Sequence, residues 1–151
     1  KEGTNSSNLN YIPDDYELVN DFRVIDGLPI QVKNNSGVTT TYIWSYNRTY
    51  PVAKIENATS TEVALALGVS EADLTDFDHA NLSALGAVRQ SLPNALVTTY
   101  KFNPLVGMIE VIDPNGLKTT YEHDDLGRLK HVLDHGSNLL RSIKYNYHNA
   151  N

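Results

Sequence analysis

Short stretches with alternating apolar and polar side chains cover both ends of the chain. In the stretch 38–46, period two places one set of side chains on a single strand face, namely Val38, Thr40, Tyr42 and Trp44. Turn sequences rich in Asp, Asn and Gly separate these stretches. The pattern predicts a mainly β fold of antiparallel hairpins that form a twisted sheet. The predicted strands are 16–24, 28–33, 38–46, 52–55, 95–102, 106–112, 117–123, 129–133 and 140–147.

The segment 58–92 has Ala, Leu, Glu and Asp at helical spacing instead. Thr and Ser at 59–61 are candidate caps for a first helix that Gly68 ends. A Ser and Asp pair that resembles a capping box predicts a second helix over 71–77, and an apolar stripe predicts a third over 81–91. We therefore expect a mixed (α+β) chain whose sheet carries a small helical cap. The side chains expected to pack this cap on the sheet are Val63, Leu67, Val69, Leu74 and Phe77.

A short pattern recurs with a period near 20 residues. The sequence Thr-Thr-Tyr ends at Tyr42, Tyr100 and Tyr121, and the last two tyrosines are 21 residues apart. Such a period is typical of repeat architectures, in which one hairpin does not bury its apolar side alone. We expect a mobile leader over 1–15 and one β-rich domain over 16–151. Within this domain we expect hairpins over 16–57, a helical insert over 58–93 and repeat hairpins over 94–151.

Composition and charge narrow the function classes. The 151 residues carry a net charge of −6, and the twelve Lys and Arg residues are scattered, which argues against a nucleic-acid partner. There are no cysteines, so disulfides and thiolate chemistry are excluded. No apolar run approaches the roughly 18 residues that cross a bilayer. Because the chain begins with Lys, we expect a soluble fragment of a longer protein.

The stretch from Asp113 to Tyr147 resembles the YD-repeat, or Rhs-repeat, family of large bacterial surface and secreted proteins. The motif residues that carry the resemblance are Gly116, Tyr121, Asp124, Asp125, Gly127, Arg128, Leu129 and Asp134. The family usually has a second Tyr two places after the first, and this chain has His123 there. The region from Thr40 to Tyr100 also resembles the helix-interrupted region that precedes the last repeats in some bacterial members.

The resemblance implies a β-rich scaffold in an extracellular or envelope-associated parent protein. Members form strips of hairpins that spiral into shells, some shells enclose a toxin, and carbohydrate binding has been proposed for some. Physical reasoning gives the motif residues roles in a turn. Gly127 allows a positive φ, and Asp124 or Asp125 bonds turn amides. We expect Tyr121 to stack on tyrosines of the next hairpin, and Arg128 to pair with a carboxylate of the next turn or to lie over a Tyr ring.

Several sets of acidic and histidine side chains suggest catalysis or metal binding beside these structural roles. Glu122 with Asp124 and Asp125 is a candidate glycosidase pair, although turn chemistry already accounts for it. Calcium ligands are available at Asp113, Asn115, Asp124 and Asp125, without the regular spacing of a calcium loop. His123, His131 and His135 lack zinc spacing. The helices around Gly68 suggest a DNA-reading motif, but the second helix is acidic and would repel phosphate. We predict no catalytic residue, no metal, no cofactor and no enzymatic activity.

Aromatic side chains are the one feature that suggests ligand binding. A candidate carbohydrate platform consists of Tyr42, Trp44, Tyr46 and Tyr100, although cross-strand packing explains the same residues. The first hypothesis is a structural segment whose partner is the rest of its parent chain. The alternatives are a carbohydrate-binding surface module and part of a shell around a toxin. Unpaired sheet edges also predict self-association.

Overall fold

The computed structural model describes residues 20–146, which contain one nine-stranded antiparallel sheet. The strands lie side by side in chain order, and the sheet is twisted without closing. The strands are β1 (Asn20–Ile25), β2 (Leu28–Asn34), β3 (Thr39–Ser45), β4 (Tyr50–Glu56), β5 (Leu96–Asn103), β6 (Gly107–Ile112), β7 (Lys118–His123), β8 (Leu129–Leu133) and β9 (Leu139–Ser142). The predicted mainly β class, with antiparallel hairpins and a small helical insert, is confirmed.

The strands differ from the predicted ones at their ends. The predicted residues 16–19 and the predicted leader 1–15 lie outside the described residues. The last strand was predicted to run over 140–147, but β9 ends at Ser142. One further backbone bond follows, from Ile143 N–H to the Lys130 carbonyl. Beyond it the contact is made by a side chain, because the Tyr145 hydroxyl donates to the Leu129 carbonyl at 3.0 Å.

The first predicted helix is present as α1 (Ser60–Leu67). Thr59 caps it reciprocally with Glu62: the Thr59 hydroxyl accepts from the Glu62 N–H at 3.3 Å, and Glu62 Oε2 accepts from the Thr59 N–H at 2.8 Å. These bonds from Thr59 lower the pKa of Glu62. Gly68 ends the helix with a φ of +69°.

The second predicted helix is only one 3-10 turn, Ala72–Thr75. The cap bonds between Ser70 and Asp73 do form, at 2.8 and 3.3 Å. The chain then leaves the helical conformation because the Phe77 N–H donates to the Trp44 carbonyl at 2.7 Å, which ties this segment to the end of β3.

The third predicted helix is also shorter than expected. Its first half is a 3-10 segment, His79–Ala84, in which Asn81 has non-helical backbone angles. Only the second half is α-helical, as α2 (Leu85–Ser91). None of the helices within residues 20–146 is long and apolar enough to cross a membrane.

The hydrophobic core lies between the helical insert and one face of the central strands. We call this the insert face and its opposite the open face. The cap packs as predicted, with Val63, Leu74 and Phe77 buried and with Leu67 and Val69 partly buried against the core. On β3 the insert face carries the buried residues Thr41, Ile43 and Ser45, and the open face carries the alternate, half-buried set. The core residues of the strands are Ile43, Val52, Ala53, Ile55 and Val97.

The second half of the sheet has no comparable core. No residue between 100 and 146 is buried, although β6, β7 and β8 consist largely of half-buried side chains. Two leucines of β9, Leu139 and Leu140, are 57% and 62% exposed. The repeat hairpins therefore form a single layer with no second layer packed on it within residues 20–146, although Arg89 of α2 reaches its near end and donates to the Asp113 carbonyl at 3.2 Å. We call this the uncovered layer.

Candidate functional site

One five-residue loop recurs at four hairpins of the sheet. In each loop the backbone N–H of the first residue donates to the carbonyl of the fifth, and the N–H of the fourth donates to the carbonyl of the first. The first side chain, Asp or Asn, accepts from the fifth N–H through Oδ1 at 2.8–3.0 Å. The four loops are 34–38, 113–117, 124–128 and 134–138.

The fourth position of this loop always has a positive φ. It is +81° at Gly37 and Gly116, +74° at Gly127 and +63° at Ser137. Glycine takes this conformation without strain, and a side chain makes it less favourable. The positive φ expected at Gly127 is therefore present, and the loop explains why Gly116 belongs to the motif.

Asp124 organises the most strongly bonded of the four loops. Its Oδ1 accepts from the N–H groups of Leu126 and Arg128, each at 3.0 Å. Its Oδ2 accepts from both Arg128 Nε at 2.9 Å and Arg128 Nη2 at 2.6 Å, which are charge-assisted bonds. The side-chain bonds from Arg128 are the main cause that lowers the pKa of Asp124 to about 2, and the bond from the Arg128 backbone adds to it.

Arg128 also contacts the chain that follows β9. Its guanidinium carbon lies 4.2 Å from the centre of the Tyr145 ring, so the expected stacking on a tyrosine is present. The carboxylate partner, expected from the next turn, comes instead from its own turn, at Asp124. The reason is the four-residue spacing, which places both side chains on one loop.

The other motif residues have simpler surroundings. Asp134 repeats the Asp124 arrangement with Asn138, whose side-chain and backbone bonds lower the pKa of Asp134. Asp125 is exposed at the loop tip, and Leu129 begins β8. For Tyr121, the stacking on tyrosines of the next hairpin stays a prediction; within residues 20–146 its cross-strand neighbour on β8 is Val132.

The predicted aromatic platform is divided between two places. Paired residues of adjacent strands share a face, so the pairings put Tyr42 and Tyr100 on the open face, where Trp44 also points. Partial burial is the main cause that raises the pKa of Tyr100; Lys54 opposes the rise, and Tyr42 adds to it. Tyr46 does not join them, because the chain turns at the end of β3 and carries its ring toward the insert.

Tyr42 and Trp44 line a shallow apolar groove of about 290 Å³ on the open face. The Trp44 indole N–H donates to the Pro29 carbonyl at 2.9 Å, which fixes the ring along the sheet. The other lining residues are Phe22, Pro29, Val32 and Pro51.

The reactive groupings considered from the sequence do not assemble. Asp113 and Asp124 begin loops at opposite ends of β7, roughly 20 Å apart by strand geometry, so they do not share a calcium ion. Glu122 Oε2 lies 3.0 Å from His131 Nδ1 in a cross-strand pair. A carboxyl whose pKa is about 2, as at Asp124, is a poor general acid. Within residues 20–146 no three His, Asp or Glu side chains are close enough to hold a metal ion.

Sequence analysis missed two features. The Asn34 side chain has the same role as the first Asp of the other three loops, and its signal was available, because Asp or Asn stands three places before a positive φ in every loop. The ring cluster of Tyr46, Tyr50 and His79 had no such signal, since His79 reaches it only through the fold of the insert.

Comparison with known families supports the predicted resemblance. Residues 106–136 match the family model described as RHS Repeat. The matched segment covers β6, β7 and β8 with their loops, which are the strands of the uncovered layer. The resemblance to the YD-repeat family is thus confirmed for this segment. No curated protein matches the chain.

Proposed function

We propose that this chain is a non-enzymatic structural segment of a larger surface or secreted β-repeat protein. The observation that carries the proposal is the uncovered layer: between residues 100 and 146 no side chain is buried. A few strands with two solvated faces bury too little apolar surface to be stable by themselves. The layer therefore needs neighbours, and the partner it fits best is further repeats of the same parent chain.

The loops support the same role. The carboxylates of Asp113, Asp124 and Asp134 are all used to bond amides of their own loops, so they build turns. The same loop at successive hairpins lets the sheet be extended by one strand after another. Carboxylates that build turns, and a sheet that grows by added hairpins, suit a structural scaffold.

The strand β9 provides the test. Its outer edge pairs with no strand within residues 20–146, and unpaired edges associate. We expect light scattering over a dilution series to show concentration-dependent association. Leu140→Lys should suppress it, because a charge on an edge strand opposes pairing. Leu65→Lys is the matched control, since Leu65 is 80% exposed on α1, away from the sheet edge.

Hydrogen exchange completes the test. We expect amides of β7 and β8 to exchange much faster than those of β4, which borders the core. A chain that stays monomeric at all concentrations and protects β8 as well as β4 would show a self-sufficient domain, and the scaffold proposal would fail.

The apolar groove favours a second candidate, a carbohydrate-binding surface module. Its aromatic side chains, Phe22, Tyr42 and Trp44, lie along the open face of the sheet, and flat rings suit the apolar faces of sugars. A glycan array tests it. A hit that Tyr42→Ala abolishes while circular dichroism is unchanged supports the module, and a blank array argues against it.

A further inference from the structure

A cleft of about 640 Å³ lies where the β3–β4 loop meets the middle of the insert. Its walls are the rings of Tyr46, Tyr50 and His79, and the buried ring of Phe77 contributes to its base. It is separate from the groove on the open face and from the Asp loops. None of the roles described above uses it.

The aromatic walls are held in place by contacts behind them. The Tyr46 ring stacks on His79 with centres 4.3 Å apart, and its hydroxyl donates to the Phe102 carbonyl at 2.9 Å. Tyr50 meets Tyr46 edge-on at 5.8 Å and stacks on Phe102 at 4.5 Å. Tyr46 also meets Phe102 edge-on at 6.1 Å, so these contacts hold both tyrosines in place while both still line the cleft.

The loop that presents these rings has an unusual backbone. Tyr46, Asn47 and Arg48 are consecutive, and their φ angles are +54°, +55° and +63°. Side-chain-bearing residues rarely adopt this conformation. The turn directs Arg48 away from the cleft, and the Arg48 guanidinium pairs with the Asp26 carboxylate at 3.0 Å outside it.

Carboxylates form the rim. Asp76 and Asp78 flank Phe77, and the backbone of Phe77 is anchored to Trp44 and to the Ser45 hydroxyl. Phe77 is buried and belongs to the core cluster, whereas the two aspartates remain exposed. Asp78 caps the Ala80 N–H at 2.9 Å through one oxygen. No Lys or Arg lines the cleft, and its two carboxylates outnumber its one imidazole, so its net charge is negative.

We propose that this cleft binds an alkylammonium group. A cation is attracted to tyrosine rings and to adjacent carboxylates, and this site offers both without a competing Lys or Arg. An anionic ligand would be repelled. The group has two sources with the same chemistry: a small free ammonium compound, or a lysine side chain of another protein.

The experiment titrates the whole chain with three probes at near-neutral pH and follows amide NMR shifts of Asn47, Asp76 and His79. The probes are choline, Nα-acetyl-lysine N-methylamide, whose side-chain ammonium group is free, and a neutral analogue of choline. In the neutral analogue a tert-butyl group replaces the trimethylammonium group. We expect saturable shifts with the two cations and none with the neutral analogue. Preference for choline indicates a small ligand, and preference for the lysine derivative indicates a protein partner.

Matched variants locate the site. Asp76→Asn keeps the shape of the side chain and should weaken cation binding about three- to tenfold. Tyr50→Phe keeps the ring and should leave binding nearly unchanged. Asp125→Asn makes the same charge change on a distant loop and is the control. Shifts as large with the neutral analogue, equal effects of Asp76→Asn and Asp125→Asn, or no saturable shift with either cation would each overturn the proposal.

Discussion

Replacing Gly127 tests whether the repeat loop depends on its positive φ. The φ of +74° is one that side-chain-bearing residues adopt at a cost of about 1–2 kcal/mol. Removing glycine also lowers the entropy of the unfolded chain, which returns about 0.4–1 kcal/mol. A built Cβ would lie 3.4 Å from Val106 Cγ1, an ordinary contact, so crowding of that atom adds little.

The net effect should follow the side chain introduced. We expect Gly127→Ala to lose about 0–1.6 kcal/mol, the difference between these two quantities. Gly127→Val should lose about 1–3 kcal/mol because a β-branched residue is least tolerant of this conformation. Gly127→Asn should lose less than about 1 kcal/mol, since Asn bonds locally in the left-handed region.

Hydrogen exchange of β7 and β8 amides is the suitable assay, because it reports the local opening of the uncovered layer. Gly86→Ala is the control. Gly86 lies in α2 with nothing within 4 Å of a built Cβ, and alanine there should stabilise the chain by up to about 1 kcal/mol. The reasoning is refuted if the Val and Asn variants of Gly127 protect these amides equally well, or if both match the original chain.

Three further predictions concern the loops and the core. The pKa of Asp124 is lowered from its ordinary value of 3.8 to about 2, so the stability that its carboxylate contributes should be complete above pH 3.8 and lost as the pH falls through about 2. An NMR titration measures the pKa, and amide exchange rates over the same pH range measure the stability. Arg128→Lys should lose the two guanidinium bonds to Asp124 Oδ2 and release the Tyr145 ring, seen as a shift of its ring protons toward those of a free tyrosine. Ile55→Ala should cost about 2–5 kcal/mol in urea unfolding, whereas Val132→Ala in the uncovered layer should cost less than about 1 kcal/mol.

The hairpins were predictable because their signals are local. Period two and the Asp, Asn and Gly of the turns identify each strand, and β8 has the predicted bounds. The helical insert was only partly predictable. The α1 cap is a local signal, but the 3-10 turn at Ala72–Thr75 follows from the bond between Phe77 and Trp44, which are distant in sequence.

Placement of the aromatic residues needed the structure. Alternation along β3 correctly groups Tyr42 with Trp44, but Tyr46 leaves that face because the left-handed turn begins there. Such a turn has no strong sequence signal without glycine. The Arg128 partner was missed for a different reason. Several carboxylates are compatible with its reach, and only the loop geometry selects Asp124.

The insert leaves the sheet uninterrupted. Ala53 on β4 pairs with Thr99 on β5 although the α1 and α2 segments lie between them in the chain. The entropic cost of closing a connection grows only slowly with its length, so a long excursion between neighbouring strands is tolerated. A sheet of this kind can thus accept long insertions between neighbouring strands. The sequence of an insertion can then change while the pairing of the strands on either side keeps its register.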